Sequence, residues 1–275
     1  MKIYPLNMSG SLNFSAKKKE IRDADLIMRN AKKNFPTLSK TYVEKYYGCI
    51  KEDKHTNVKG NKIVHSLRNA INAMRFLSQS TALYLEKLNS NSKRDQEHLS
   101  VALGDIKKYK IGNCDENGKI ALAALYANGY MNSRLVSLQY RTQFIDKFTG
   151  DTVFQCFSPM DHVFAVTDMN KGGKRDIVID PWLGFADSIE GANSRFKALY
   201  DEEDFKYENM KALKKFRNYC KQTGLEFSAD KYDIRSGFYY DTDLHKNVSN
   251  GDEVSKQILN SRFPELAVKI NKQHT

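Results

Sequence analysis

The sequence predicts an α+β fold. Apolar residues recur at helical spacing from Ile63 to Ile106. Segments rich in β-branched and aromatic residues, bounded by glycines, then fill positions 134–182. Helical spacing returns after Gly184. At 275 residues the chain can bury a sizeable core, as one large domain or as a domain with an extension.

Residues 1–60 are polar and basic, with Pro5, Pro36 and little periodicity, and are expected to form an N-terminal basic extension or subdomain. The main domain is expected over 61–275, with its core at 95–190. Ile63, Leu67, Ile71, Met74, Leu77, Leu85 and Leu88 mark the first helical stripe. The stretch "LNSNSKRD" breaks it, and Asp95 can cap a second helix carrying Leu99, Ala102 and Ile106. A third helix begins at Cys114, turns Ile120, Ala121, Ala124, Leu125 and Ala127 inward, and stops at Asn128-Gly129. Strands are expected in "RLVSLQYR", "DTVFQCF", "HVFAVT" and "DIVIDPW", with hairpin loops in "FTGDT" and "NKGGK". Further helices are expected across "DEEDFKYENMKALKKFRNYCKQTG" and "EVSKQILN".

Composition narrows the function classes. The net charge of +11 suits an acidic partner, yet the lysines are scattered and no basic-aromatic RNA-binding motif or zinc finger occurs, so a nucleic-acid partner is not expected. No run approaches the ~20 apolar residues of a membrane span, and the N-terminus lacks the pattern of a Sec signal. A cytoplasmic-type fold follows, with export by a signal-independent route left open. The four cysteines, Cys49, Cys114, Cys156 and Cys220, are widely spaced. Neither a disulfide framework nor a paired-cysteine zinc site is expected, and HExxH is absent, so no metal or other cofactor is expected.

Cys114 is the residue that asks for chemistry. A thiol at the first turn of a helix feels the positive end of the backbone dipoles, which favours thiolate. Asp115 and Glu116 oppose that, so a base is needed. Of six histidines, His162 differs, because it opens a strand with Phe164 and Val166 on its face. A lone strand histidine is more often structural. The next strand changes that balance: centring the intervening hairpin on Lys171 sets His162 directly opposite Asp180, with Cβ atoms about 5 Å apart. A carboxylate there would fix the imidazole tautomer and stabilise its charged form. Alone, Asp180 reads as a turn residue before Pro181. Cys156, on the strand before His162, is expected to be core.

The run "GNCDENGKIALAALYANGY", then "DHVFAV", then "DIVIDPW", resembles the transglutaminase-like superfamily of papain-type thiol enzymes. The likeness covers about Gly112–Gly184. It implies a papain/transglutaminase-like core, with a cysteine helix packed on an antiparallel sheet and added helices on both flanks. It also implies Cys114 as nucleophile, His162 as base and Asp180 as orienter. Asn113, Asp161 and Trp182 neighbour these three and are candidates to line the substrate cleft. Members of the superfamily cut, deamidate or transamidate amides, and some transfer acyl groups. Several bacterial effectors with this centre deamidate a host protein's glutamine. The resemblance therefore implies a cysteine hydrolase or transferase, deamidase or transglutaminase-like, of the kind delivered to a host cell by a specialised secretion system, and a protein substrate such as an acidic host protein. A cysteine peptidase or acyltransferase of the same fold is the alternative, and a non-catalytic basic adaptor is the alternative from another class. The family often supplies an upstream Gln or Trp as oxyanion donor. Here the only Trp is Trp182 and Gln96 is distant, so the Cys114 N–H is the expected donor.

Overall fold

The computed structural model describes residues 3–5, 18–39, 58–88, 94–168, 176–200, 202–228, 230–241 and 251–268. In chain order the elements are β1 (Ile3–Pro5), α1 (Lys18–Asn34), α2 (Val58–Leu88), α3 (Arg94–Tyr109), α4 (Cys114–Ala127), β2 (Arg134–Asp146), β3 (Thr152–Asp168), β4 (Asp176–Asp180), β5 (Phe185–Ser188), α5 (Ile189–Lys197), α6 (Glu202–Thr223), β6 (Tyr232–Asp241) and α7 (Glu253–Arg262), followed by a 3₁₀ turn at Pro264–Leu266. The six strands make one sheet in the order β1-β6-β2-β3-β4-β5. Every pairing is antiparallel except that of β1 with β6. The class is therefore mixed α+β, as the sequence predicts.

The sheet is covered on both faces, because its strands alternate two apolar sets. Leu135, Ala165, Ile177 and Ile179 point to one side and pack on α1, α4 and α7 through Ile27, Met28, Ile120, Leu122 and Leu259. Val136, Leu138, Phe164, Val166 and Val178 point to the other and pack on Phe196 of α5. Further along that second face, α6 stacks Phe216 on Phe144 of β2, ring centroids 4.1 Å apart.

Two readings need adjusting. "DTVFQCF" and "HVFAVT" are not separate strands but one 17-residue strand, β3. Its pairing with β2 passes from Leu138–His162 to Gln139–Pro159, so β3 carries Met160 and Asp161 as an insertion at a bulge. The Tyr200 hydroxyl donates to the Met160 carbonyl at 2.6 Å. Second, the boundary at residue 60 is not visible in the packing. Ala24, Ile27, Met28, Ala31 and Phe35 lie in the same core as the Cys114 helix, and β1 extends the sheet beyond β6.

The segment from α7 to Leu266 closes over the Cys114 helix. Leu259, Phe263 and Leu266 are buried in that shared core. The Asn128 side chain, at the C-terminus of α4, donates to the Leu266 carbonyl (2.9 Å) and accepts from the Val268 N–H (2.8 Å). Asn30 of α1 donates to the Glu265 carbonyl at 2.7 Å. No described helix is long and apolar enough to cross a membrane.

Candidate active site

The loop before α4 is set by close packing. The Leu38 N–H donates to the Lys110 carbonyl (2.8 Å) and the Gly112 N–H to the Leu38 carbonyl (3.1 Å), so the segment after α1 braces the loop. A Cβ on Gly112 would sit 2.5 Å from the Glu116 Cβ, which excludes every larger residue unless the turn moves. Glu116 occupies that space because it caps the helix: its Oε2 accepts the Asn113 N–H at 2.8 Å. The Asn117 N–H and side-chain amide both donate to the Asn113 carbonyl, at 3.1 and 2.7 Å. Asn113, a candidate cleft residue, thus has its backbone committed to starting the helix. Cys114 follows it as the first helical residue, half-buried, with its thiol reduced.

Glu116 and Asp115 are not left to oppose the thiol. Arg75 of α2 reaches Glu116 with both arms of its fork, Nε to Oε1 at 2.5 Å and Nη2 to Oε2 at 2.9 Å. The same Nη2 lies 3.5 Å from Asp115 Oδ2, which also takes Lys119 Nζ at 2.8 Å. The Glu116 side chain is 2 % exposed, so its charge requires a partner. Burial works to lower the Arg75 pKa, but the Glu116 hydrogen bonds and charge, then Asp115 and Cys114, outweigh it and hold Arg75 above its ordinary value. Arg75 is the site residue that the sequence reading misses. Half of the signal is legible, because Asn113-x-x-Glu116 has capping-box spacing. The partner is not, because it lies 41 positions upstream on the margin of an apolar stripe.

His162 and Asp180 form a buried pair, with Nε2 and Oδ2 2.7 Å apart and residue exposures of 3 % and 1 %. The expected register is corrected. Strand β4 pairs with β3 from Ala165–Ile179 to Asp168–Asp176, a register displaced by two positions from the one expected; the expected centre, Lys171, lies outside the described residues. Extended, that register sets Asp180 against Phe164, so His162 is its diagonal neighbour. The displacement is an even number of positions, so both side chains keep one face. The two readings of Asp180 also merge. Its Oδ1 accepts the Leu183 N–H (3.1 Å) and its carbonyl accepts the Gly184 N–H (2.8 Å), so the turn that begins at Pro181 holds the carboxylate that holds His162.

The imidazole sits among Trp182 (centroids 5.1 Å apart), Phe196 (5.4 Å) and Phe164 (5.7 Å). It belongs to the α5 face of the sheet, whereas α4 packs on the other. The two meet because pairing with β4 stops at Ala165, and at His162 strand β3 is bordered by β2 alone. Burial tends to lower the His162 pKa. The Asp180 hydrogen bond, then Cys114, then their charges, overcome it and push the value up to about 9. A carboxylate only accepts, so Nε2 carries the proton and Nδ1 is the basic nitrogen. Nδ1 is buried and makes no hydrogen bond, and the Cys114 thiol stabilises the ring's charged form.

The remaining candidates are placed as follows. Trp182 walls the imidazole. The side chains of Asp161 and Gln96 lie outside the described residues. Cys156 packs beside Phe144, Phe154 and Phe216 on the α6 side, and burial raises its pKa. Among the described residues, no three His, Cys, Asp or Glu side chains are grouped to hold a metal ion. A groove of about 590 Å³ lies away from the thiol, between α6 and the loop after it, lined by Met210, Leu213, Arg217, Leu225 and Phe227. Comparison with protein-family models, with curated proteins and with solved structures finds no match for the chain.

Proposed function

We propose that the chain is a cysteine-dependent enzyme that acts on an amide of a protein or peptide. The supporting observation is a buried imidazole bonded to a carboxylate through Nε2, whose charged form is also stabilised by a helix-start thiol. The roles follow from those contacts. Nδ1 of His162 takes the Cys114 proton, and the thiolate attacks the carboxamide carbon. The oxyanion forms beside the first turn of α4, with the Cys114 N–H as its proposed donor. Asp180 holds the imidazolium in position. As the C–N bond breaks, His162 returns the proton to the leaving nitrogen, which departs as ammonia or an amine. Water, deprotonated by the same imidazole, attacks the thioester and releases the carboxylate and the thiol. An acceptor amine in place of water gives transamidation.

Deamidation of a side-chain amide is the preferred reaction, on the resemblance of the cysteine, histidine and aspartate segments to those of effector deamidases. The basic surface suits an acidic protein substrate. The test is intact-mass analysis of acidic candidate proteins incubated with the wild type and with Cys114→Ala. A thiol-dependent gain of about 1 Da, with the chain intact, is the result expected of amide hydrolysis through a thioester. Fragmentation would assign peptidase chemistry. No mass change and no cleavage for any candidate, together with a thiol no more reactive than a free cysteine, would reject the enzyme reading.

A further inference from the structure

We propose that Arg75 is a positioning residue for Cys114, cancelling the two carboxylates beside the thiol and fixing the first helical turn through Glu116. This rests on the reading of Cys114 as nucleophile. Three observations carry it. The guanidinium fork spans both oxygens of a buried carboxylate, a geometry that defines orientation as well as charge. The same carboxylate takes the Asn113 N–H, so Arg75 acts on the turn through a single intermediary. Finally, Arg75 reaches over to Asp115, where Lys119 completes the balance of two cations against two anions.

The charged and titratable groups of the first turn and of the elements packed against α4 are Asp115, Glu116 and Lys119 on α4 itself, Arg75 on α2, His98 on α3, His162 on β3 and Asp180 on β4. His98 lines the small crevice that Arg75, Asp115, Glu116 and Lys119 share. The His162–Asp180 pair is a separate buried contact, and the Cys114 thiol stabilises the charged form of its imidazole. Without Arg75 the first turn would carry a net negative charge directly beside a developing thiolate.

The experiment reads the pH dependence of Cys114 alkylation by iodoacetamide in the full chain, resolved by peptide mass, beside thermal unfolding. Arg75→Gln keeps a donor toward Glu116 and removes the charge. The midpoint of alkylation is expected to rise by about 1 pH unit, the size of one nearby charge. The double variant Arg75→Gln/Glu116→Gln restores the charge balance without a buried ion, and its midpoint is expected to return to the wild-type value. An Arg75→Gln protein that is less stable but alkylates with an unchanged midpoint makes Arg75 a structural brace only and overturns the proposal. If the single variant does not fold, a raised midpoint in the double variant overturns it equally. Wild-type Cys114 no more reactive than a free cysteine rejects the nucleophile assignment itself, and this proposal with it.

Discussion

Asp180 has two obligations and two oxygens with which to meet them. Oδ1 closes the turn over Pro181–Gly184, and Oδ2 holds the imidazole. Asp180→Asn can satisfy the turn through its amide oxygen and must then offer His162 a donor, which favours the tautomer with the proton on Nδ1, the wrong nitrogen. Turnover is expected to fall on the order of 10²-fold, less than in serine triads. Stability supplies a second signature. The folded His162 pKa, about 9, lies above its ordinary 6.5. The pair's contribution is therefore complete below pH ~6.5 and is lost as pH rises through about 9. Wild-type stability should decline across that window, and Asp180→Asn should remove most of the slope, with the gap between the two proteins widest at low pH. Asp176→Asn is the control: Asp176 lies on the same strand and, among the described residues, pairs with the partly exposed Arg134 at 3.0 Å. It should change neither measurement by more than a surface ion pair does. Denaturant unfolding at a series of pH values, with turnover on the substrate, checks both; equal slopes in wild type and Asp180→Asn would contradict the assignment.

At the scale of elements, the fit of α4 onto β3 sets how near the thiol comes to the imidazole. Gly118 makes that fit possible, because a Cβ there would lie 3.1 Å from Leu135 Cδ2 and 3.5 Å from the Phe164 Cα. Gly118→Ala gains about 1 kcal/mol of helix propensity and loses a similar amount in crowding, so net stability should change little. The Leu135 side chain or the helix must still give by a few tenths of an ångström, and any shift of α4 carries Cys114 with it. Turnover should fall roughly 10-fold or more with the melting temperature nearly unchanged; full activity would show that the helix has room. The same scale explains what was legible. The α4 stop, the strands between 134 and 180 and the shared face of His162 and Asp180 follow from period and punctuation. Helix α1 does not stand out, because half of its buried stripe, Ala24 and Ala31 beside Ile27 and Met28, is alanine amid lysines. Strand β6 is hidden for a different reason. Its inward position Ser236 is polar, and is satisfied by Asn209 (2.8 Å) and Thr142 (3.3 Å), so alternation is broken where the strand is most buried. The Arg75 half of the fork could not be read, since nothing local joins α2 to α4.

At the scale of the molecule, the site is assembled from distant parts of the chain: α1 and the loop after it, α2, α4, the β3–β4 hairpin and the C-terminal turn. A chain ending at residue 250 would lose Leu259, Phe263 and Leu266 from the core around α4. At about 2 kcal/mol per buried side chain that loss approaches the whole stability of an ordinary domain. Hydrogen exchange should show the α4 amides unprotected in the shortened chain and protected in the full one, and the selective reactivity of Cys114 should vanish with them. Retained protection would mean that the C-terminal turn only decorates the core. The clasp at Asn128 also has a consequence in time. The thiol is synthesised roughly 150 residues before Leu266, an interval of about 10–30 s at ordinary elongation rates. Under the proposed function, the growing polypeptide carries throughout that interval a cysteine whose surroundings are not yet packed. Chemistry would then begin only with completion of the fold, and the ribosome-bound chain would be spared a reactive sulfur next to its own exposed amides.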